Sequence, residues 1–282
     1  MMMMGYANFV PEVWSKEIGK IFDKQTVMAG LVNTRFEGEI KKAGDTVYVR
    51  TFGNVTVSDY TRNMTINYEV LTDPMQTMVI DQQKYFAFKV DNLDAAQSNI
   101  GILEGYTERA AVAMRNVIDT RLLNHLNDCH TDNIIGAGAS PVALTTANIY
   151  GQIVKLSERL DNKNVFDGKR SLVISPAVKS LLLQSDQFTR ASSLGDSVVQ
   201  NGFIGNVAGF GVYVTTNMPT IAGGIVPVLA FTEDFISFAS QVTEVETVRP
   251  TDSFTTAVRG LYLYASKVFS PEAGALLRGT IA

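Results

Sequence analysis

Apolar residues first recur at helical spacing at Val13, Trp14, Ile18, Ile21 and Phe22, behind Pro11, which suits a first helical turn. This predicts one short helix within residues 1–35, closed by Gly30 and the following Leu31-Val32-Asn33. A single short helix has no core of its own for such a stripe, so it must lie against something else. From Gly44 the period changes to two. Thr46-Val47-Tyr48-Val49-Arg50-Thr51 alternates, Gly53-Asn54 and Ser58-Asp59 are turn-like, and Thr65 to Leu71 and Met78 to Val90 are rich in strand formers, with Phe86, Phe88 and Val90 on one face. The pattern predicts a long antiparallel excursion with Thr, Asn, Asp and Arg62 toward its tip. A two-stranded ribbon is marginal in water, so it also needs a neighbour.

Asp91-Asn92 offers a helix cap, and the longest helical pattern runs from about Ile102 to Asp128. Leu103, Ala110, Met114, Val117, Ile118, Leu122 and Leu126 form its apolar stripe, with Glu108, Arg109, Arg115, Asp119 and Arg121 expected on the surface. Gly136 to Pro141 reads as a linker. Thr145 or Thr146 then caps a helix reaching Leu160, Ser171 to Ile174 is a short buried strand, and Ser175-Pro176 opens a helix over Ala177 to Gln184. Residues 186–206 read as a polar surface loop, followed by strands at Gly211 to Thr216 and Val226 to Phe231. Glu233 and Asp234 suit the positive end of a short helix from Asp234 to Ser240. Strands alternating with helices indicate an α/β lobe. In the last quarter Val242 to Arg249, a turn at Pro250 to Ser253 and Thr255 to Phe269 form a long hairpin. Pro271-Glu272-Ala273-Gly274 breaks its second strand, and Ala275-Leu276-Leu277 is a last strand able to return to the α/β lobe.

Composition narrows the chemistry. At 282 residues a second lobe is expected, and 46% hydrophobic residues exclude disorder. A net charge of -4 lacks the basic excess that phosphate neutralisation requires, so sequence-specific DNA binding is not expected. The longest apolar run, Ile225 to Phe231, contains Pro227 and falls far short of the roughly 18 residues of a membrane span. The start, MMMMGYANFVPEVW, lacks the basic residues and long apolar run of a signal peptide. Cys129 is the lone cysteine, and His125 and His130 are spaced so that their rings do not share a helix face, which makes them helix-end residues and not a metal pair. No GxSxG, HExxH, Walker-type or CxxC motif occurs. The glycines at 136–140 run into Pro141 and those at 202–211 into the strand-like Val212-Tyr213-Val214, so neither cradles a phosphate. Glu244 and Glu246 share a strand face, which either binds a cation or is simply solvated.

The order of these elements resembles the major capsid protein of tailed bacteriophages, the Hong Kong 97-like fold. The stretches that carry the likeness are Val173-Ile174-Ser175-Pro176, Asn206-Val207-Ala208-Gly209-Phe210-Gly211-Val212-Tyr213-Val214 leading to Asn217-Met218-Pro219, Leu229 to Ala239, and Lys267-Val268-Phe269-Ser270-Pro271-Glu272-Ala273-Gly274. The resemblance implies an α+β class with an N-terminal arm (1–35), an extended β-ribbon or E-loop (36–91), a P-domain with a long spine helix and hairpin (92–135 and 241–270) and an α/β A-domain (136–240 and 271–282). It also implies a structural coat protein, with no enzymatic activity and no cofactor, that self-assembles as hexamers and pentamers into an icosahedral head shell around double-stranded DNA. The implied partners are a separate scaffolding protein, a portal protein and a decoration protein, with non-specific contact to packaged DNA and no membrane. The implied location is the virion, after assembly in the host bacterial cytoplasm.

Candidate subunit contacts are Phe9, Trp14, Ile18 and Phe22 of the arm, Tyr48, Arg50, Tyr60 and Arg62 of the ribbon, and Arg249 and Arg259 of the hairpin. The alternatives are packing of the arm aromatics on their own subunit and plain solvation of the arginines. Some family members cross-link subunits through a ribbon lysine, but the tip from Ser58 to Met64 has none and Lys84 and Lys89 lie toward the base. No covalent mesh is expected, therefore, and the early start of the arm suggests a separate scaffold. Two other functions share parts of this pattern: an encapsulin-like nanocompartment shell, which would need a groove for cargo peptides, and an α/β enzyme using the 186–206 loop. That loop holds Asp186, Arg190, Ser192, Ser193 and Asp196 but no His or Cys.

Overall fold

In the computed structural model the described residues are 27–36, 46–50, 57, 59, 62, 65, 68, 75–91, 101–136, 140–165, 168–185, 203–219, 221, 223–248 and 255–281. Among them the strands form three sheets. The largest takes in β4 (Ile134–Ile135), β5 (Val142–Leu144), β6 (Arg170–Ile174), β7 (Phe203–Val207), β8 (Phe210–Val214), β9 (Val226–Thr232) and β12 (Gly274–Ile281). Its order is β4-β12-β9-β6-β8-β7, with β5 also parallel to β12. The central strands are apolar without interruption because both of their faces are covered. Leu172, Ile174, Val228, Ala230 and Leu277 meet helix α2 (Ile149–Asn162) through Ile149, Ile153, Leu156 and Leu160, and helix α3 (Pro176–Leu183) through Val178 and Leu182. The alternate residues Val173, Leu229, Phe231 and Leu276 face the other way, into a cluster with Ile118, Leu122, Met28 and Val32.

Ile118 and Leu122 belong to helix α1 (Gly101–Leu123), which also covers the second sheet, β10 (Ile236–Val248), β11 (Thr255–Val268) and β3 (Gln82–Asp91) in the order β10-β11-β3. Both pairings are antiparallel. Phe86, Phe88, Val258, Tyr262 and Tyr264 turn toward α1, and the Phe88 and Tyr106 rings lie 6.0 Å apart. The third sheet pairs β1 (Thr46–Arg50) with β2 (Met75–Val79). No described helix is long and apolar enough to cross a membrane.

Several expectations are corrected. No helix runs from Asp234 to Ser240: a tight turn closed by Phe235 N–H to the Thr232 carbonyl at 3.0 Å leads directly into β10. Ile236 and Phe238 enter the main cluster while Ala239 faces the opposite cluster, a period of two that pairing with β11 stabilises beyond anything two acids gain from a helix dipole. The pattern from Met78 to Val90 is not one strand of the ribbon. It breaks at Ile80-Asp81, and β3 pairs with β11 because the Phe86 and Phe88 face needs the cover of α1.

Residues 203–206, read as the end of a polar loop, instead belong to a strand, since Phe203–Val207 forms a hairpin with β8. Its two turn residues, Ala208 and Gly209, have φ of 49° and 84°, as a two-residue hairpin of this twist requires. The stretch at 136–141 is flanked by the short strands β4 and β5. The long helix ends at Leu123 and continues to Asp128 only as a 3-10 turn. On α1 Asp119 is buried, not exposed, and Val117 is exposed, not part of the buried stripe.

Candidate subunit-contact surface

The ribbon is anchored on one face, and the described residues leave the other uncovered. Met78 and Ile80 are buried against Ala239, Leu263 and Ala265, with Phe36 and Phe269 at the edge. Lys267 Nζ donates to the Thr77 carbonyl at 2.5 Å, and Gln76 Nε2 reaches the Phe269 carbonyl at 3.5 Å. These contacts fix the base of the ribbon to the end of β11. In the β1–β2 register Tyr48 opposes Thr77, Thr46 opposes Val79 and Arg50 opposes Met75. Tyr48, Met75 and Val79 are all exposed, and farther along Tyr68 is 90% exposed. Burying one such side chain is worth about 1.5–3 kcal/mol, so this row, left uncovered by the described residues, is a candidate contact surface.

The second sheet repeats this asymmetry. On the face away from α1, the Met78 and Ile80 cluster covers the half near Leu263 and Ala265, and nothing described covers the other half. Tyr85 there is 78% exposed. Ala87 lies opposite Arg259, Tyr85 opposite Leu261, and Arg259 opposite Glu246. Arg259 Nε donates to Glu246 Oε2 at 2.8 Å, and Nη2 bonds the same oxygen. Tyr85, Ala87, Glu246, Arg259, Gly260 and Leu261 line a shallow depression of about 260 Å³. An ion pair this exposed adds no more than about 1 kcal/mol to the fold of its own subunit.

Of the residues singled out from sequence, Tyr48 and Arg62 are exposed, Arg50 lies in β1, and Arg259 joins Tyr85 on the open sheet face. Phe9, Trp14, Ile18, Phe22, Tyr60 and Arg249 lie outside the described residues, as do Asp186, Arg190, Ser192, Ser193 and Asp196. Sequence reasoning missed Tyr85 and Tyr68. The signal for Tyr85 was present: once Phe86 and Phe88 mark one face of a strand, Tyr85 and Ala87 mark the other.

The groups able to do chemistry are engaged elsewhere. His125 Nδ1 lies 2.7 Å from Asp128 and Nε2 lies 2.9 Å from Ser266 Oγ, while His130 Nδ1 accepts the Asp132 N–H at 3.3 Å. Burial pushes the Cys129 thiol up to about 12, which removes its nucleophilic form near neutral pH. Glu246 is held by Arg259, and the side chain of Glu244 lies outside the described residues.

Comparison with known proteins supplies the family. A family model described as phage capsid protein matches residues 75–277. The chain belongs to this phage capsid protein family. Among solved structures, the protein superposes on a chain in a structure titled Mycobacterium phage Che8 with a TM-score of 0.72 and 25% identity, covering 97% of this chain and 98% of that one. It also resembles the capsid structure of the Cyanophage P-SCSP1u, with a TM-score of 0.73, 15% identity and coverage of 92% and 89%. The capsid of Ralstonia phage GP4 gives a TM-score of 0.69, 11% identity and coverage of 92% on both sides. No curated protein matches. The capsid protein is thus a structural, self-assembling shell protein of the virion, in the mixed α+β class expected from its sequence.

Proposed function

We propose that the bare half of the β10-β11-β3 sheet and the outer face of the β1–β2 ribbon are the surfaces by which copies of this capsid protein meet, as hexamers and pentamers, in an icosahedral head around double-stranded DNA. The observation that carries the reading is the contrast at Tyr85 and Arg259: the sheet is covered on one side by α1 and for half of the other by Met78 and Ile80, then left open by the described residues. Closed shells repeat one contact many times, and such a face supplies an apolar centre with a charged rim.

The same reading takes residues 1–35 as an arm, 36–91 as the E-loop, 92–135 with 241–270 as the P-domain and 136–240 with 271–282 as the A-domain. The arm residues Phe9, Trp14, Ile18 and Phe22, the ribbon residues Tyr48, Arg50, Tyr60 and Arg62, and Arg249 and Arg259 are its contact residues. The protein acts without enzymatic activity. It assembles in the host bacterial cytoplasm with a separate scaffolding protein, a portal and a decoration protein. The charge of -4 suits non-specific contact with DNA that a motor drives inward. Replacing Tyr85 and Arg259 together by Ser is expected to leave a folded chain that no longer forms shells, read by circular dichroism beside electron microscopy. Normal shells from the double variant would refute this contact face, and cargo enzyme in place of DNA inside native particles would favour a nanocompartment.

A further inference from the structure

Three separate stretches of the capsid protein converge on one buried carboxyl. Asp119, on α1, is 2% exposed. The backbone N–H of Met28, in the segment 27–36, is directed at it, and Asn217, from the loop after β8, brings Nδ2 to 3.5 Å from Oδ2, the outer limit of a hydrogen bond. The same Nδ2 donates to Asn116 Oδ1 at 3.2 Å, so Asn217 is shared between two acceptors on α1. Asp119 Oδ1 is buried with no formed hydrogen bond. Met28 is fully buried in the main cluster, and the segment behind it is stitched to β10 by Asn33 N–H to the Ile236 carbonyl at 3.0 Å and Phe238 N–H to the Asn33 carbonyl at 2.9 Å.

Few charges face this carboxyl. On its own helix Arg115 lies one turn away and draws the group toward ionisation. The segment 27–36 carries one ionisable side chain, Arg35, which pairs with Glu233 at 3.4 Å, and the loop 215–219 carries none. Burial outweighs Met28, Asn217 and Arg115 and pushes the Asp119 carboxyl up to about 6. An ionised Asp119 is therefore a buried charge with an orphan oxygen, while the neutral acid removes the buried charge.

We propose that Asp119 is a proton-operated latch that fastens segment 27–36 and loop 215–219 to the long helix, closed when the carboxyl is neutral and loosened when it ionises. Segment 27–36 is the first described stretch of the chain, and the latch sets how firmly it is held. Its consequence for assembly rests on the reading of 1–35 as an arm; the latch itself does not.

The test is hydrogen exchange followed by mass spectrometry on the unassembled full chain and on shells, from pH 5 to 8, corrected for intrinsic exchange. A carboxyl near 3.8 when open and about 6 when closed makes the open junction about ten-fold more populated at pH 8 than at pH 5. Peptides covering 27–36 are expected to show that rise in the native protein and to lose it in Asp119→Asn, while peptides of α2 stay level in both. Asn217→Ala, which removes a donor to the ionised form, is expected to raise opening several-fold at pH 8 and less at pH 5. A level profile in the native protein, or an undiminished rise in Asp119→Asn, would overturn the latch whether or not shells form.

Discussion

Gly260 on β11 lies directly opposite Phe86 on β3, and the Phe86 ring fills the space that a side chain at 260 would need. A Cβ there would come within 2.4 Å of both Cε1 and Cζ of the ring. The glycine lets an aromatic ring cover the strand between α1 and the sheet, at a position where the two strands otherwise have only backbone in common. Gly260→Val is expected to cost about 1–3 kcal/mol by overpacking, measured by denaturant unfolding. In a double-mutant cycle Phe86→Ala should recover part of that cost; strictly additive losses would show that the two positions do not compete for space.

Asn133 is 1% exposed and donates from Nδ2 to the Glu272 carbonyl at 2.9 Å and the Gly274 carbonyl at 3.0 Å, tying the end of the α1 region to the turn that starts β12. Asn133→Ala removes the donor shared by the part-buried Glu272 carbonyl and the buried Gly274 carbonyl and is expected to destabilise by about 1–3 kcal/mol. Asn133→Asp keeps the shape but presents a carboxylate to the carbonyls and should do no better. A loss below about 0.5 kcal/mol in both variants would contradict the role given to Asn133.

Asp119 also predicts a pH profile for overall stability. Its carboxyl stands at about 6 in the folded chain against an ordinary value of 3.8, so the folded state holds the proton more tightly than the unfolded one. Protonation therefore favours folding: the contribution is full below about pH 4 and is lost as pH rises through 6. The stability of Asp119→Asn relative to the native chain should improve by roughly 2–3 kcal/mol between pH 4 and pH 7.5. Thermal unfolding across that range checks it, and a gap that stays constant with pH would remove the charge from the explanation.

Lys84 and Lys89 lie on β3, at the foot of the excursion, and Ser58 to Met64 contain no lysine. Particles boiled in detergent should release monomer on a denaturing gel. A ladder of multimers would mean that a lysine elsewhere in the chain reaches a neighbouring subunit.

What the sequence made legible is what local periodicity controls. The alternation along Thr255 to Phe269, the stripe Ile118, Leu122 and Leu126, and Pro176 behind Ser175 each mark an element that the structure contains, and their order carries the resemblance to the capsid family. Non-local pairing was not legible. Nothing near Phe86 says that its strand pairs with residues some 170 positions later and not with the neighbouring ribbon, because the deciding contact, with Gly260, has no local signature. The misread helix after Asp234 has the same cause, since a backbone that pairs with β11 has no need of helical bonds. Asp119 was misplaced on the surface because charged residues are rarely buried, and only the convergence of Met28 and Asn217 shows why this one is. Of the proposed contact surface, Tyr48 and Arg259 were singled out as ribbon and hairpin residues, while Tyr85 required knowing which face α1 covers.

The central claim is that the open face around Tyr85 and Arg259 is closed by another copy of the chain. Electron cryomicroscopy of assembled particles at side-chain resolution tests it directly. The account predicts shells in which Tyr85, Ala87 and Leu261 are buried against a neighbouring subunit and Arg259 contacts that subunit as well as Glu246. Shells in which this face remains in solvent, with the neighbours meeting elsewhere, would contradict it.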